Sequence, residues 1–421
     1  MTALLPRRSA REMAERLGSP TSPAVLEAAA AIVRDVQARG EVALREHAER
    51  LGDVAPGASL VVPREALASA LGAMKRDDRC RLERIADRIR RFAHGQRAAF
   101  AAFATSVPGG GAGHLIAPVE RAGCYAPGGR YPLPSSVLMT ALTARIAGVS
   151  EVWVASPRPA PITLAAAALA GADGFLCVGG AQAIAALACG AGPVPPCDAV
   201  VGPGNAYVTA AKQMVGGRVA IDTLAGPSEL VVLADSTADP ATVAADLLAQ
   251  AEHDPQAVPV LVSVGDDIAT LVSAEIMLQL ETLPAPGVAR AALANGGMVV
   301  VVDTDEAIAV CDLLAPEHLA LQVADAETLA PRCRHYGALF IGAASAQVLG
   351  DYGAGPNHVL PTGRGARSAG GLSVLTFLRV RTWLAIDDPV AARALIEDAA
   401  WLSRAEGLEA HARSAERRLE P

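Results

Sequence analysis

The chain has 421 residues, 52% of them apolar and 19% charged, with a net charge of -8 at pH 7. This balance excludes extensive disorder, which needs low hydrophobicity and high charge. An acidic chain with 3% aromatic residues also lacks the basic face and the stacking platforms that nucleic-acid binding requires.

A chain this long accommodates roughly two to four domains and needs no disulfide or metal staple. The seven cysteines are odd in number and never form a C-x-x-C pair, which fits a reducing cytoplasm. The opening Met-Thr-Ala-Leu-Leu-Pro-Arg-Arg lacks the apolar core of a signal peptide.

Residues 1 to about 105 read as helical, with apolar residues at helical spacing over Pro23–Arg50 and Arg81–Phe103. Arg84, Arg88, Arg90 and Arg91 sit among acids and read as a solvated helix face. Gly109–Gly113 then punctuates the chain. Beyond it, strand-like runs at Gly123–Ala126, Glu151–Ser156, Gly174–Val178, Ala199–Val201, Glu229–Ala234, Val258–Ser263, Met298–Val302 and Ala338–Ile341 alternate with helical segments.

Their apolarity is continuous, as in strands covered on both faces, so the fold class is α/β with mainly parallel sheets. Gly174–Cys197 carries no charge, but Gly179-Gly180, Gln182 and three prolines interrupt it; a buried strand, turn and helix are expected there, with no membrane span. The expected division is an N-terminal segment (1–18), one domain at 124–229, a discontinuous domain from 19–123 and 230–372, and a helical tail with little β signal (373–421).

Four histidines, His47, His94, His114 and His335, have no suggestive company, whereas the other four do. Asp239-Pro240 reads as an N-cap followed by proline at the first helical position, so a helix should run from 240 toward 253. Gln250 and His253 then share a face near its end.

In Ala315-Pro316-Glu317-His318-Leu319 the proline ends a helix and leaves two titratable groups side by side. Asp351 and His358 flank a Gly/Pro loop, and Glu406 and His411, five apart, are expected on neighbouring faces of one helix. Gln250, His253, Asp351 and His411 would form an oxygen/nitrogen ligand set suited to Zn²⁺ or Mn²⁺, although spacing alone does not bring them together.

The G-x-G-x-x-G fingerprint of dinucleotide binding is absent. Glycine turns nevertheless follow strand candidates at Tyr125-Ala126-Pro127-Gly128-Gly129, Gly179-Gly180-Ala181-Gln182 and Gly202-Pro203-Gly204-Asn205. Each would set backbone amides at the carboxyl edge of a sheet, where α/β proteins bind ligands.

The first and third of these turns, with Ala225-Gly226-Pro227-Ser228-Glu229, Gln250-Ala251-Glu252-His253-Asp254, Ala315-Pro316-Glu317-His318-Leu319, Asn357-His358-Val359-Leu360-Pro361-Thr362 and Glu406-Gly407-Leu408, closely resemble the histidinol dehydrogenase family, and the match runs from about residue 20 to the end. The resemblance implies two incomplete Rossmann-like domains in a cytoplasmic homodimer whose terminal segments exchange. It also implies oxidation of L-histidinol through histidinaldehyde to L-histidine, the last step of histidine biosynthesis, with two NAD⁺ and one Zn²⁺ per site.

By the same resemblance Gln250, His253 and Asp351 are zinc ligands, joined by His411 from the partner subunit. Ser228, His358 and Glu406 contact substrate, and Tyr125, Gln182 and Asn205 belong to the cofactor site. His318 is the general base, and Glu317 activates the water that adds to the aldehyde.

Arg130-Tyr131 depart from the small residues usual after the Pro-Gly-Gly turn. Arg130 therefore keeps open a second reading, a zinc/NAD dehydrogenase of another polar alcohol such as a sulfonated diol. A metal-dependent hydrolase is the third reading.

Overall fold

The computed structural model describes residues 4–18, 22–128, 131–284 and 286–419. Gly129 and Arg130, and with them the expectation attached to Arg130, lie outside this range. Two compact units are described in turn: residues 1–94 with 119–377, and residues 95–118 with 378–421.

In chain order the strands are β1 (Val61–Pro63), β2 (Phe103–Val107), β3 (Gly110–Pro118), β4 (Arg121–Tyr125), β5 (Glu151–Ala155), β6 (Gly174–Leu176), β7 (Ala199–Val201), β8 (Ala220–Ile221), β9 (Glu229–Ala234), β10 (Val258–Val264), β11 (Gly297–Val301), β12 (His318–Gln322), β13 (Ala338–Ile341) and β14 (Leu378–Ile386).

The first unit holds two sheets. One has the order β1-β6-β5-β4-β7-β8 and is parallel except for β1, and the other, β11-β10-β9-β12-β13, is parallel throughout. The fold is thus the expected mixed α/β with parallel sheets. Every residue of β9 is buried, as continuous apolarity predicts.

The core against the first sheet is rich in alanine, with Ala181, Ala183, Ala185, Ala186 and Ala188 from one helix, so small side chains let helix and sheet approach closely. The same core takes in Ala29, Val33, Val36 and Leu44 from the N-terminal helices. β1 pairs with β6, and the helices Pro23–Arg39 and Glu41–Arg50 bury their apolar residues on the first sheet, whereas the helix Ala10–Leu17 packs Met13, Ala14 and Leu17 into the core of the second.

The expected helix over Pro23–Arg50 is two, Pro23–Arg39 and Glu41–Arg50, broken at Gly40 with φ +58°. Asp239 caps the helix Pro240–Ala251 through Ala241 N and Thr242 N, with Pro240 at the first position, as its sequence demands.

In the second unit β14, β3 and β2 form an antiparallel sheet, followed by helices Arg393–Ala405 and Glu409–Glu416. Two expectations are corrected here. The chain after Leu372 contains a nine-residue strand, β14, whose residues past Leu378 are mostly exposed, so no alternating burial betrays it. Gly110–Gly113 is part of β3, where a Cβ on Gly113 would lie 2.2 Å from the Phe103 carbonyl oxygen and one on Gly110 2.0 Å from that of Ala385.

Among the described residues no helix is long and apolar enough to cross a membrane. All seven cysteines are free, and Cys124, Cys177, Cys197, Cys311 and Cys333 are buried.

Candidate active site

The two sheets present opposite edges to one cleft of about 190 Å³. From the first come Ser136 and the Pro203-Gly204 turn after the carboxyl end of β7. From the second come Ser228, Glu317 and His318 at the amino ends of β9 and β12, with His253, Asp351 and His358. The volume is below the ~300–1,000 Å³ typical of drug-sized ligand sites, which suits a small polar molecule.

The helix Thr304–Leu314 stops at Ala315, which takes the left-handed conformation (φ +45°), and Pro316 prevents its continuation. Glu317 and His318 follow at once, both buried, with His318 as the first residue of β12. Glu317 Oε2 accepts hydrogen bonds from Ser228 Oγ (2.7 Å) and Glu229 N (2.8 Å).

His318 Nδ1 donates to the Glu229 carbonyl (2.9 Å) and lies 3.4 Å from Glu317 Oε2. A carbonyl can only accept, so Nδ1 carries the proton and Nε2 keeps a lone pair in the neutral ring. Nε2 is buried without a hydrogen-bond partner, 3.5 Å from Asp351 Oδ1. Burial alone would lower the pKa of His318, but the Glu317 and Asp351 carboxylates outweigh it and hold the pKa well above the usual histidine value.

Gln250 closes the helix Pro240–Ala251, and His253 lies just beyond it at the surface. Gln347 ties Gln250 to Asp351, its Nε2 donating to Gln250 Oε1 (2.9 Å) and Asp351 Oδ2 (3.0 Å). Burial pushes the Asp351 carboxyl up, but the His318 imidazole 3.5 Å away prevails and its pKa is lowered. His358 Nδ1 donates to the Asp351 carbonyl (2.9 Å), so its Nε2 accepts from Ser136 Oγ (3.3 Å). Burial lowers the pKa of His358 and favours its neutral form.

Among the described residues no group of three or more His, Cys, Asp or Glu side chains is arranged to hold a metal. The expected set supplies only two of those types from this unit, His253 and Asp351, plus the amide of Gln250. These three fit a divalent ion: a carboxylate held ionised, an imidazole at the surface, and a buried amide that would offer its Oε1, the atom that accepts from Gln347 here.

The residues expected at the cofactor lie elsewhere in the first unit. Gln182 and Asn205 line a second groove of about 770 Å³. Gln182 is buried and donates to Asp53 Oδ2, which also accepts from Gly179 N. Asn205 caps the helix Ala206–Val215, and Tyr125 Oη accepts from Gly180 N (3.2 Å). The phenol of Tyr125 is pushed up to about 12 by burial.

Glu406 and His411 are exposed residues of the second unit, and the expectation of one shared helix is corrected. Glu406 ends the helix Arg393–Ala405, Gly407 (φ +80°) breaks the chain, and His411 lies in the next helix.

Sequence reasoning missed Ser136, Glu229, Gln347 and Asp53 as partners of site residues. It also missed the Lys212–Asp222 ion pair, which is fully buried. Lys212 Nζ donates to the Gly202 carbonyl (3.0 Å) and Asp222 Oδ2 accepts from Gly202 N (2.7 Å), so the pair clamps the Gly202–Asn205 turn. A charged residue amid the apolar run of a helix was the available signal.

A profile of the histidinol dehydrogenase family matches residues 17–419. The chain belongs to the histidinol dehydrogenase family. A histidinol dehydrogenase from Thermus thermophilus is 46% identical over 400 residues, 95% of this chain and 96% of that protein. One from Cereibacter sphaeroides is 44% identical over 405 residues, 95% and 93% of the respective chains.

The crystal structure of histidinol dehydrogenase from Elizabethkingia anophelis superposes with a TM-score of 0.92 at 29% identity, covering 100% of this chain and 99% of that one. An acetylating aldehyde dehydrogenase from Geobacillus thermoglucosidasius shares the fold alone, with a TM-score of 0.50 at 14% identity over 89% of this chain and 96% of its own. As a member of the histidinol dehydrogenase family, the protein is an oxidoreductase.

Proposed function

We propose that this chain oxidises L-histidinol through L-histidinaldehyde to L-histidine, the last step of histidine biosynthesis, as a zinc- and NAD-dependent cytoplasmic enzyme. The observation that carries the reading is the buried His318, its Nδ1 committed to the Glu229 carbonyl and its Nε2 unpartnered, beside the Glu317 carboxylate.

Gln250, His253 and Asp351 hold zinc, with His411 supplied by the partner subunit of a homodimer that exchanges its tail. Exposed apolar residues on the second unit, Val380 (61%), Leu384 (64%), Val390 (79%) and Trp401 (70%), support such an association. Zinc held there would supply Lewis-acid orientation of an amino alcohol, and Tyr125, Gln182 and Asn205 would hold NAD⁺ as the hydride acceptor.

In its neutral form, which the raised pKa reserves for higher pH, His318 takes the hydroxyl proton at Nε2 as the carbinol carbon gives up hydride, and it acts again on the hydrated aldehyde in the second oxidation. Glu317 takes a proton from the water that adds to the aldehyde carbon. Its Oε2 is held by Ser228 and Glu229, while Oε1 makes no hydrogen bond to the protein among the described residues. Ser228, His358 and Glu406 orient the substrate.

The test is a stoichiometry. Purified protein with Zn²⁺, NAD⁺ and L-histidinol should yield two NADH per histidinol. One NADH per molecule of another alcohol, with none from histidinol, would replace the substrate, and no NADH from any alcohol would overturn the reading. Chelation should abolish turnover while NAD⁺ binding persists.

A further inference from the structure

Glu229, the first residue of β9, is buried, and its carboxylate points at backbone. Oε1 accepts from Gly363 N (2.7 Å) and Oε2 from Glu317 N (3.3 Å). Its own backbone faces the same neighbours, with Glu229 N donating to Glu317 Oε2 and the Glu229 carbonyl accepting from His318 Nδ1. One residue therefore grips the catalytic pair at three points, two on Glu317 and one on His318.

The grip on Glu317 is reciprocal, each carboxylate accepting the other's backbone N–H. The side-chain half also joins two loops. Gly363 follows Thr362, whose Oγ1 accepts from Gly226 N, while the Pro316 and Glu317 carbonyls accept from Gly337 N and Ala338 N (2.9 Å each). No solvent-facing surface feature requires a carboxylate at this place. A buried acid against a second acid is costly unless it satisfies donors nothing else reaches.

We propose that Glu229 is a positioning residue that sets the carboxylate of Glu317 for water activation, and so governs the second oxidation more than the first. This rests on the assignment of Glu317 above. His318 is anchored by the backbone carbonyl of Glu229, which side-chain substitution leaves in place. Glu317 loses its alignment when either amide that fixes the loop is left without an acceptor.

Glu229→Gln is nearly isosteric, but whereas both carboxyl oxygens keep a lone pair for an N–H donor, ionised or protonated, the amide accepts from only one of the two and sets its own N–H₂ against the other. Misplacement of a reacting group by about 1 Å costs about 10²-fold.

The experiment compares wild type, E229Q and E317Q as zinc-loaded full-length proteins, with L-histidinol and with L-histidinaldehyde supplied separately, alongside metal content and the KM for histidinol. E229Q is expected to oxidise the aldehyde roughly 10- to 100-fold more slowly, to oxidise the alcohol within a few-fold of wild type, and to keep its zinc and KM.

Equal loss in both steps, or loss of zinc, would reduce Glu229 to a structural role and overturn the inference. So would an unchanged aldehyde rate in E229Q when E317Q is impaired. If E317Q itself oxidises the aldehyde normally, the assignment of Glu317 fails and takes the inference with it. Should E229Q not fold, Glu229→Asp, which keeps the charge but reaches only one amide, must show the same step-selective loss, and its absence would refute the proposal.

Discussion

The carboxyl edge of the first sheet and the amino edge of the second face the same cleft, yet they are made of different materials. The first contributes backbone: the Pro203-Gly204 turn in the cleft, held from behind by Lys212 and Asp222, and the Gly179-Gly180 turn, held by Asp53, beside the second groove. The second contributes titratable side chains packed around strand starts, with Glu229, Glu317, His318 and Asp351 all buried. Ligands of open α/β sheets ordinarily sit at carboxyl edges, and the first sheet obeys that rule while the second reverses it. A strand start is a rigid mount, because its backbone is already fixed by the ladder: His318 sits beside Leu230 and Ala338. On the proposed reading, chemistry that needs fixed angles belongs to that edge and contact with a larger ligand to the turns.

The sharpest way to break this division is His318→Gln. It should lower turnover by about 10²–10⁴-fold, the usual contribution of a general base, while bound zinc stays at wild-type content by metal analysis. Comparable zinc-replete activity would show that the second edge does not hold the base.

On the first edge, Lys212→Met leaves Asp222 buried and unpaired, which should cost about 3–5 kcal/mol of unfolding free energy, read by urea denaturation. It should also raise the KM for NAD⁺ and leave that for histidinol nearly unchanged. A matching rise in both would mean the two edges are not separable.

A smaller effect is expected in the pH dependence of stability. Burial, reinforced by Glu317 and opposed by the Gly363 and Glu317 amides, pushes the Glu229 carboxyl from 4.5 up to about 8. A raised folded-state value stabilises fully below 4.5 and is lost as pH climbs through 8. The stability difference between wild type and Glu229→Gln should therefore decline over that window in a denaturation series. A flat difference would mean that Glu229 is ionised throughout.

The sequence revealed parts of both edges. β7, β9 and β13 appear at their true bounds, because a short uninterrupted apolar run between turn residues is too brief for a helix and suits a strand. The cap at Asp239-Pro240 located the helix that carries Gln250. β12 escaped as a strand because it begins with the polar pair's His318 directly after Pro316-Glu317, and β14 because the alternation of Leu378-Arg379-Val380-Arg381 lapses at Thr382-Trp383-Leu384 and the strand has no buried face.

Pairings such as Glu229 with Gly363, or Lys212 with Asp222, join residues 134 and 10 positions apart. They depend on how loops meet in three dimensions, which no local period records. Glu317 and His318 were legible as a pair, but their partners were not.

The cysteines, which offered no disulfide or thiolate site, have one further consequence. Burial pushes Cys177 up to about 11 and Cys124 up to about 12, and raises Cys197, Cys311 and Cys333 as well. Since the thiolate is the reactive species, these sulfurs are chemically silent near neutrality, and only the partly exposed Cys80 and Cys189 remain open to reagents. None of the seven lines the cleft among its described residues. Alkylation with iodoacetamide should accordingly label two positions by mass spectrometry and leave turnover intact, because thiol modification does not reach the cleft.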